Sequence, residues 1–563
     1  MRTAAAVALT FLALGAQEII PAPLRLERRP GAFTLDAATR IVATGAAGPV
    51  GEALARDLRP ATGLPLPLAG KAGRDTIVLE LKPDATLGEE GYRLEVAPGR
   101  LTLQAGRPAG LFYAVQTLRQ MLPPDIFRAA KVDGTAWTVP AASIEDRPRF
   151  PWRGSHVDVG RHFMPKSAIE KHLDLMALHK LNVLHWHLTE DQGWRMEIRK
   201  YPRLTQVGAW RRETVLNETY SDDRPEAMRY DNTPCGGFYT QEDVKEIVRY
   251  AADRFITVVP EIEMPGHCQA ALAAYPGLGN FPEDRHEVRT AWGVSESVYN
   301  VDDRTIAFLK DVLDEVMALF PSKFIHVGGD ECPKGEWSRS PAALARMKQL
   351  GLVPPAATLD DIRIRPEAPE KDRVPPALHG LQSWFIRQID AYLASKGRRL
   401  IGWDEILEGG LAPGAAVMSW RGEKGGIDAV RAGHDVVMTP ERWTYLDHYN
   451  SADPEPLAIG GDPLDLPKVY AYDPVPEGLA PAEAARVLGS EGLIWTEYVP
   501  TPRHMEYMLW PRLCALSEVF WSPKAGRDYR DFSRRLAAHV RRLDALDVNR
   551  WRPYAERASF PPR

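Results

Sequence analysis

The sequence predicts an α/β protein: a (β/α)8 barrel preceded by a smaller α+β domain. Three observations carry that prediction. Between residues 148 and 525, eight apolar runs suit buried parallel strands: GSHVDVG, NVLHWHLT, ITVVPEIEM, KFIHVGG, RLIGWDEI, AAVMSW, DVVMT and GLIWTEYV. Amphipathic helical patterns lie between them, among them PKSAIEKHLDLMALHK and TQEDVKEIVRYAADR. Acidic and aromatic residues gather at the C-terminal ends of the runs, where a barrel keeps its active site.

In chain order, residues 1–16, MRTAAAVALTFLALGA, carry an early Arg, an apolar stretch and small residues. They read as a secretory signal peptide cleaved near Gly15 or Ala16, which predicts a periplasmic or secreted protein. Within residues 19–147, LRLERRPGAFTLDAATRIVATG, TIVLELKP and EGYRLEVAPGRLTLQAG alternate apolar and polar positions between Gly, Pro and Asp, as strands and hairpins do. PAGLFYAVQTLRQML follows with helical spacing that puts Leu111, Ala114, Leu118 and Met121 on one stripe. This is the α+β accessory domain, and SIEDRPRFPWRG is its boundary with the barrel of residues 148–525. Pro165 opens one barrel helix at a first-turn position, and Thr240 with Asp243 forms a capping box at another. Residues 526–563 predict a helical segment packed on the barrel. Val353 to Val374, rich in Pro and charge, reads as an insertion near the barrel rim.

Composition narrows the function. A net charge of −5 with interspersed signs leaves no basic footprint for nucleic acid. Beyond residue 20 no apolar stretch reaches bilayer-spanning length. The four cysteines, Cys235, Cys268, Cys332 and Cys514, form no CxxC pair, which argues against a thiolate zinc site. A disulfide is allowed in an oxidising compartment, and buried free thiols are the alternative. The 15 Trp matter because flat aromatic surfaces suit sugar rings as well as cores.

The strand ends contribute Asp158 and Arg161; His185, His187, Glu190 and Asp191; Glu261, Glu263 and His267; Asp330 and Glu331; Trp403, Asp404 and Glu405; Trp420 and Arg421; Tyr445 and Asp447; and Trp495 and Glu497. Barrel topology converges them on one acidic, aromatic mouth suited to a neutral, hydroxyl-rich ligand. The centre is FIHVGGDECP, Phe324 to Pro333, in which Gly328 and Gly329 let the chain turn so that two adjacent carboxylates face one cavity. Three functions compete for this mouth. Glycoside cleavage assigns Glu331 as a general acid with a raised pKa and Asp330 as its ionised partner. A metal-dependent hydrolase would draw ligands from His185, His187, His267, His326 and Asp330, without accounting for the aromatic wall. A sugar-binding barrel without catalysis leaves the paired acids unexplained.

VDVGRHF, NVLHWHLTEDQGWR, GGFYTQEDVKEIVRYAADRFITVVPEIEMPGH, HVGGDE and IWTEYV, in that order along the chain, resemble the family 20 glycoside hydrolases, the β-N-acetylhexosaminidases. The resemblance implies an exo-acting retaining enzyme that releases terminal β-linked GlcNAc or GalNAc, with no metal and no organic cofactor. It also implies substrate assistance, in which the 2-acetamido carbonyl attacks the anomeric carbon to form an oxazolinium ion, an exception to the two-carboxylate scheme of most glycosidases. By resemblance, Asp330 orients the acetamide and Glu331 moves the proton. Tyr445 binds the acetamide carbonyl, and Trp384, Trp403 and Trp495 wall it in. Arg161, Asp447 and Glu497 hold hydroxyls, and His267 supports the acid, backed by Glu190 or Asp191. Many relatives carry Asp-Asp at that last pair. Release of a disaccharide is the alternative within the family, and His185, His187 and His326 become supporting residues.

Overall fold

The structure is a computed structural model and describes residues 18–217 and 228–553. The predicted signal peptide and residues 554–563 of the predicted C-terminal segment lie outside the described residues. Six strands, β1 (Arg25–Thr34), β2 (Arg40–Ala43), β3 (Thr76–Leu81), β4 (Tyr92–Ala97), β5 (Arg100–Ala105) and β6 (Thr138–Asp146), make a mixed sheet of order β1-β6-β4-β5-β3-β2. The helix Pro108–Met121 buries the predicted stripe of Leu111, Ala114, Leu118 and Met121. Phe112, Tyr113, Val115, Gln116 and Thr117 are buried as well, because the helix is covered by the sheet and by neighbouring parts of the barrel. One hydrophobic core therefore runs through both domains.

Polar groups fasten the same junction. Arg153, fully buried on the first barrel strand, donates to both oxygens of Glu90, at 2.8 and 2.9 Å. Lys180 Nζ, Tyr92 Oη and Trp521 Nε1 all donate to the buried Asp146 carboxylate, at 2.8, 2.7 and 2.9 Å. Buried charges are tolerable when paired and hydrogen-bonded in this way, and removing one partner would strand the other.

The barrel closes through eight parallel strands, β7 (Trp152–Asp158), β8 (Val183–His187), β9 (Thr257–Glu261), β10 (Phe324–His326), β11 (Arg399–Trp403), β12 (Ala416–Ser419), β13 (Val436–Met438) and β14 (Val487–Ile494), with β14 pairing back onto β7. These are the eight apolar runs of the sequence. Burial on both faces, by barrel interior and helical shell, explains why they read as continuous runs rather than alternating ones. Thr240 and Asp243 form the expected capping box, each side chain bonded to the other's backbone N–H at 3.1 Å. Pro165 is the N-cap of the helix Lys166–Leu178, one position earlier than expected. All four cysteines are free thiols, with Cys268, Cys332 and Cys514 buried.

Candidate active site

Past the end of β10 the chain turns at Gly328 and Gly329, at φ +63° and +92°, and Glu331 itself sits at +42°. Left-handed backbone favours glycine, so Glu331 holds a strained conformation of the sort that functional sites retain. His267, which follows β9, is likewise left-handed at +46°. The turn is fixed from three sides. Trp403 N donates to Gly328 O at 2.9 Å, Gln382 Nε2 donates to Gly329 O at 2.8 Å, and a Cβ on Gly328 would lie 1.8 Å from Glu263 Oε2. Asp330 and Glu331 thereby enter the same cavity.

That cavity, about 170 Å³, is lined by Arg161, Asp330, Glu331, Trp403, Trp420, Tyr445, Asp447, Trp495 and Glu497, with Glu441, His448 and Ile459 completing it. Trp403 and Trp495 rings are 5.9 Å apart, and Trp420 stacks on Tyr445 at 6.2 Å with an interplanar angle of 16°. Asp330 Oδ1, Arg161 Nε and Nη1, Asp447 Oδ1 and Glu497 Oε2 are buried without a hydrogen-bond partner among the described residues. Buried polar groups are ordinarily paired, so such a set on one cavity wall suits a ligand rich in hydroxyls.

His267 Nδ1 donates to Glu190 Oε1 at 2.8 Å, and Asp191 Oδ2 is farther, at 3.3 Å. Glu190 is thus the nearer support. Asp191 accepts from the backbone N–H groups of Gln269 and Ser295, at 2.9 and 3.2 Å, and so shapes the loops around the histidine. The other ring nitrogen, Nε2, faces Glu331 at 3.5 Å and Asp330 at 3.6 Å. Despite its burial, neighbouring Glu190 and Asp330 hold the His267 pKa well above its usual value.

The two acids depart from the expected division of charge. Burial pushes Asp330 up to about 7. Glu331 is lowered despite its own desolvation, because its hydrogen bond and charge interaction with His267 outweigh it. The reason is position: the Asp330 side chain is 12% exposed and that of Glu331 is 42% exposed. Burial also raises Asp447 to about 6 and Glu497 to about 7, so the carboxylates lining the cavity carry less charge than their number suggests.

Trp384 does not line the cavity. It sits on the helix Pro376–Ser395, partly buried against the core, with the Arg346 guanidinium 4.9 Å above its ring. Gln382, two residues earlier, is the side chain that turns inward to Gly329, and residues two apart on a helix point to different sides. Trp420 stands in the wall instead, its Nε1 donating to Glu405 Oε2 at 3.0 Å. Its signal in the sequence is its place at the end of a strand run. The residues 353–374 form short helical turns, Leu359–Ile362 and Glu370–Arg373, between β10 and β11.

His185 and His187 face carboxylates rather than the cavity. His185 Nδ1 bonds Glu491 at 2.7 Å, and His187 bonds Glu261 at 2.6 Å and Glu190 at 3.2 Å. Both are fully buried and pack under the cavity tryptophans, with His187 5.2 Å from Trp495 and His185 5.8 Å from Trp403. They serve the site as supports.

Residues 150–524 match the family description "Glycosyl hydrolase family 20, catalytic domain", and residues 16–147 match domain 2 of the same family. The chain belongs to glycosyl hydrolase family 20. It is 44% identical over 545 residues to a β-hexosaminidase of Porphyromonas gingivalis, covering 96% of this chain and 65% of that protein. It therefore spans just under two thirds of that relative's length. A Vibrio furnissii β-hexosaminidase is 35% identical over 509 residues, covering 89% of this chain and 76% of that one. Among solved structures, a family 20 β-N-acetylhexosaminidase from Streptomyces coelicolor superposes with a TM-score of 0.79 at 31% identity, covering 96% and 98% of the two chains. A mutant Streptomyces plicatus β-hexosaminidase in complex with the product GlcNAc gives 0.79 at 32% identity, covering 96% and 97%. These comparisons place the chain in a glycoside hydrolase family whose compared members are β-hexosaminidases.

Proposed function

We propose that this family 20 member is an exo-acting β-N-acetylhexosaminidase that cleaves terminal β-linked GlcNAc or GalNAc with assistance from the substrate's own acetamide. The observation that carries the reading is the joint lining of one cavity by Asp330, Glu331, the indoles of Trp403, Trp420 and Trp495, and Tyr445. An enclosed aromatic box beside a paired acid is what an internal nucleophile requires. Asp330 accepts the acetamide N–H, Tyr445 donates to the carbonyl, and the indoles keep the carbonyl oxygen near the anomeric carbon, which raises its effective concentration. That oxygen bonds to the anomeric carbon as the glycosidic bond breaks, and Glu331 gives its proton to the departing oxygen. Glu331 then takes a proton from the water that opens the oxazolinium ion, and configuration is retained. Arg161, Asp447 and Glu497 orient the outer hydroxyls. The apolar N-terminal stretch directs the protein to the periplasm or the exterior in this reading.

The test compares an aryl N-acetyl-β-glucosaminide with the glucoside lacking the acetamide, with and without a thiazoline mimic of the cyclised intermediate. Rapid turnover of the first alone and strong inhibition by the mimic are expected. Comparable rates on both substrates would refute the assignment. Glu331→Gln is expected to lower kcat by about 10²- to 10⁴-fold while sparing binding.

A further inference from the structure

The carboxylate of Glu261, at the end of β9, lies below the cavity floor and is fully buried. Its two oxygens face different parts of the site. Oε1 accepts from the indole N–H of Trp403 at 2.8 Å, and His326 Nδ1 lies 2.7 Å from the same oxygen. Oε2 bonds His187 Nδ1 at 2.6 Å, with His185 Nε2 at 3.0 Å. The other ring nitrogen of His187 bonds Glu190 Oε2 at 3.2 Å, the second oxygen of Glu190 bonds His267, and His267 faces Glu331. With carboxylates on both its nitrogens, His187 donates twice and is an imidazolium. The result is a run of alternating charge, Glu261, His187, Glu190, His267, Glu331, that starts beneath the cavity and ends at the acid.

We propose that Glu261 is a positioning residue that ties the two halves of the reaction together, holding the Trp403 wall of the acetamide box with one oxygen and the support chain of the Glu331 acid with the other. The inference rests on the substrate-assisted reading above. It follows from the chemistry of a carboxylate in a closed core. Charge-assisted hydrogen bonds are short and directional, and among buried groups they set geometry strongly because no water competes. Glu261 touches neither sugar nor leaving group. Its effect passes through Trp403 on one side and through His187 and Glu190 on the other, so loss of its charge loosens the wall and leaves the His187 imidazolium with one anion in place of two. A purely architectural Glu261 would serve stability alone.

The experiment measures Glu261→Gln, His187→Asn and Trp403→Phe against aryl N-acetyl-β-glucosaminides whose phenols span a range of acidity, together with the affinity of a thiazoline mimic. Good leaving groups need little acid help and poor ones need it fully, so the slope of log kcat/KM against phenol pKa reads the acid arm. The thiazoline reads the wall. Expected are a steeper slope with near-unchanged thiazoline affinity for His187→Asn, weaker thiazoline binding with an unchanged slope for Trp403→Phe, and both defects, each about tenfold, for Glu261→Gln. A uniform loss over all phenols with unchanged inhibition, or only one of the two defects in Glu261→Gln, overturns the proposal. If Glu261→Gln does not fold, Glu261→Asp, which keeps the charge but draws it back by one methylene, must show both defects in milder form; an unchanged slope and affinity in that variant has the same overturning force. Failure of the wild-type protein to bind the thiazoline would instead remove the functional reading beneath the proposal.

Discussion

Asp330 and Glu331 are sequence neighbours in opposite electrostatic states: burial lifts Asp330 to about 7, while His267, 3.5 Å from Glu331, draws that residue below its ordinary value. The proposed mechanism asks for the reverse, an ionised Asp330 and a protonated Glu331. In that mechanism a bound sugar supplies the reversal by two physical effects. It excludes water from Glu331, whose side chain is otherwise 42% exposed, and it offers an N–H donor that favours the Asp330 anion.

The pH profile should show this exchange. A group with a raised pKa is protonated below it, and Glu331, drawn below its ordinary value, is ionised over the same range, so below about 7 each loss of the Asp330 anion is offset by a gain of protonated Glu331. The profile of kcat/KM, which reports the free enzyme, is therefore expected to be level just below about 7 and to fall about tenfold per pH unit above it, where Asp330 is fully ionised and Glu331 continues to lose its proton. In kcat, which reports the complex, this alkaline limb should move to higher pH, because the bound sugar raises Glu331 and lowers Asp330. Asp330→Asn should remove the level stretch, leaving kcat/KM to decline with rising pH across it. Identical alkaline limbs in kcat and kcat/KM would contradict the exchange.

Exchanging one tryptophan at a time should separate the cavity wall from the core. Trp420→Ala removes a ring stacked on Tyr445 and anchored to Glu405, and kcat/KM should drop about 10- to 100-fold, in keeping with about 1.5–3 kcal/mol for a buried aromatic face. Trp384→Ala removes a ring under Arg346. Its expected effect is a lower Tm with kcat/KM within about twofold of wild type, as for a core truncation away from the site. Steady-state kinetics and thermal unfolding of the two variants decide the matter.

Glu190 and Asp191 should likewise divide their labour. Glu190→Gln weakens a 2.8 Å charge-assisted bond to His267, so turnover of poor leaving groups should fall by about tenfold or more. Asp191→Asn replaces an acceptor of the Gln269 and Ser295 N–H groups, so it should cost stability first and show little dependence on the leaving group. Equal leaving-group slopes in the two variants would place the histidine's support equally on both.

The barrel is legible in the sequence because its strands are buried on both faces, and continuous apolar runs such as KFIHVGG and GLIWTEYV record that burial directly. Strand ends are legible for the same reason, since barrel topology converts order along the chain into position around a mouth. Trp384 misleads because helix phase decides which way a side chain points: Gln382 takes the inward direction and the tryptophan two residues later does not. The charge order of Asp330 and Glu331 is hidden because it depends on relative exposure and on the reach of His267 from another strand. Glu261 stands among the strand-end acids without a role, since its significance lies in which side chains meet its two oxygens.

Gly328 offers the sharpest test of how the backbone sets the acids. Its φ is +63°, and a Cβ added there would come within 1.8 Å of Glu263 Oε2, so Gly328→Ala meets two obstacles, left-handed strain and a collision in a closed core. Strain alone costs about 1–3 kcal/mol. Gly351 has nearly the same φ, +68°, with open space at its Cβ, and Gly351→Ala therefore isolates the strain. Both variants should lose stability, Gly328→Ala more. Only Gly328→Ala should lose activity, by about 10²-fold, because the Glu263 carboxylate is buried with little room to withdraw, so the turn carrying Asp330 and Glu331 takes up part of the displacement, and misplacement by about 1 Å is enough for a loss of that size. Shortening the obstructing side chain as well, in Gly328→Ala with Glu263→Ala, should restore part of the lost stability. Wild-type kcat in Gly328→Ala would mean that the acids are placed by their own contacts with His267 and not by the turn that delivers them.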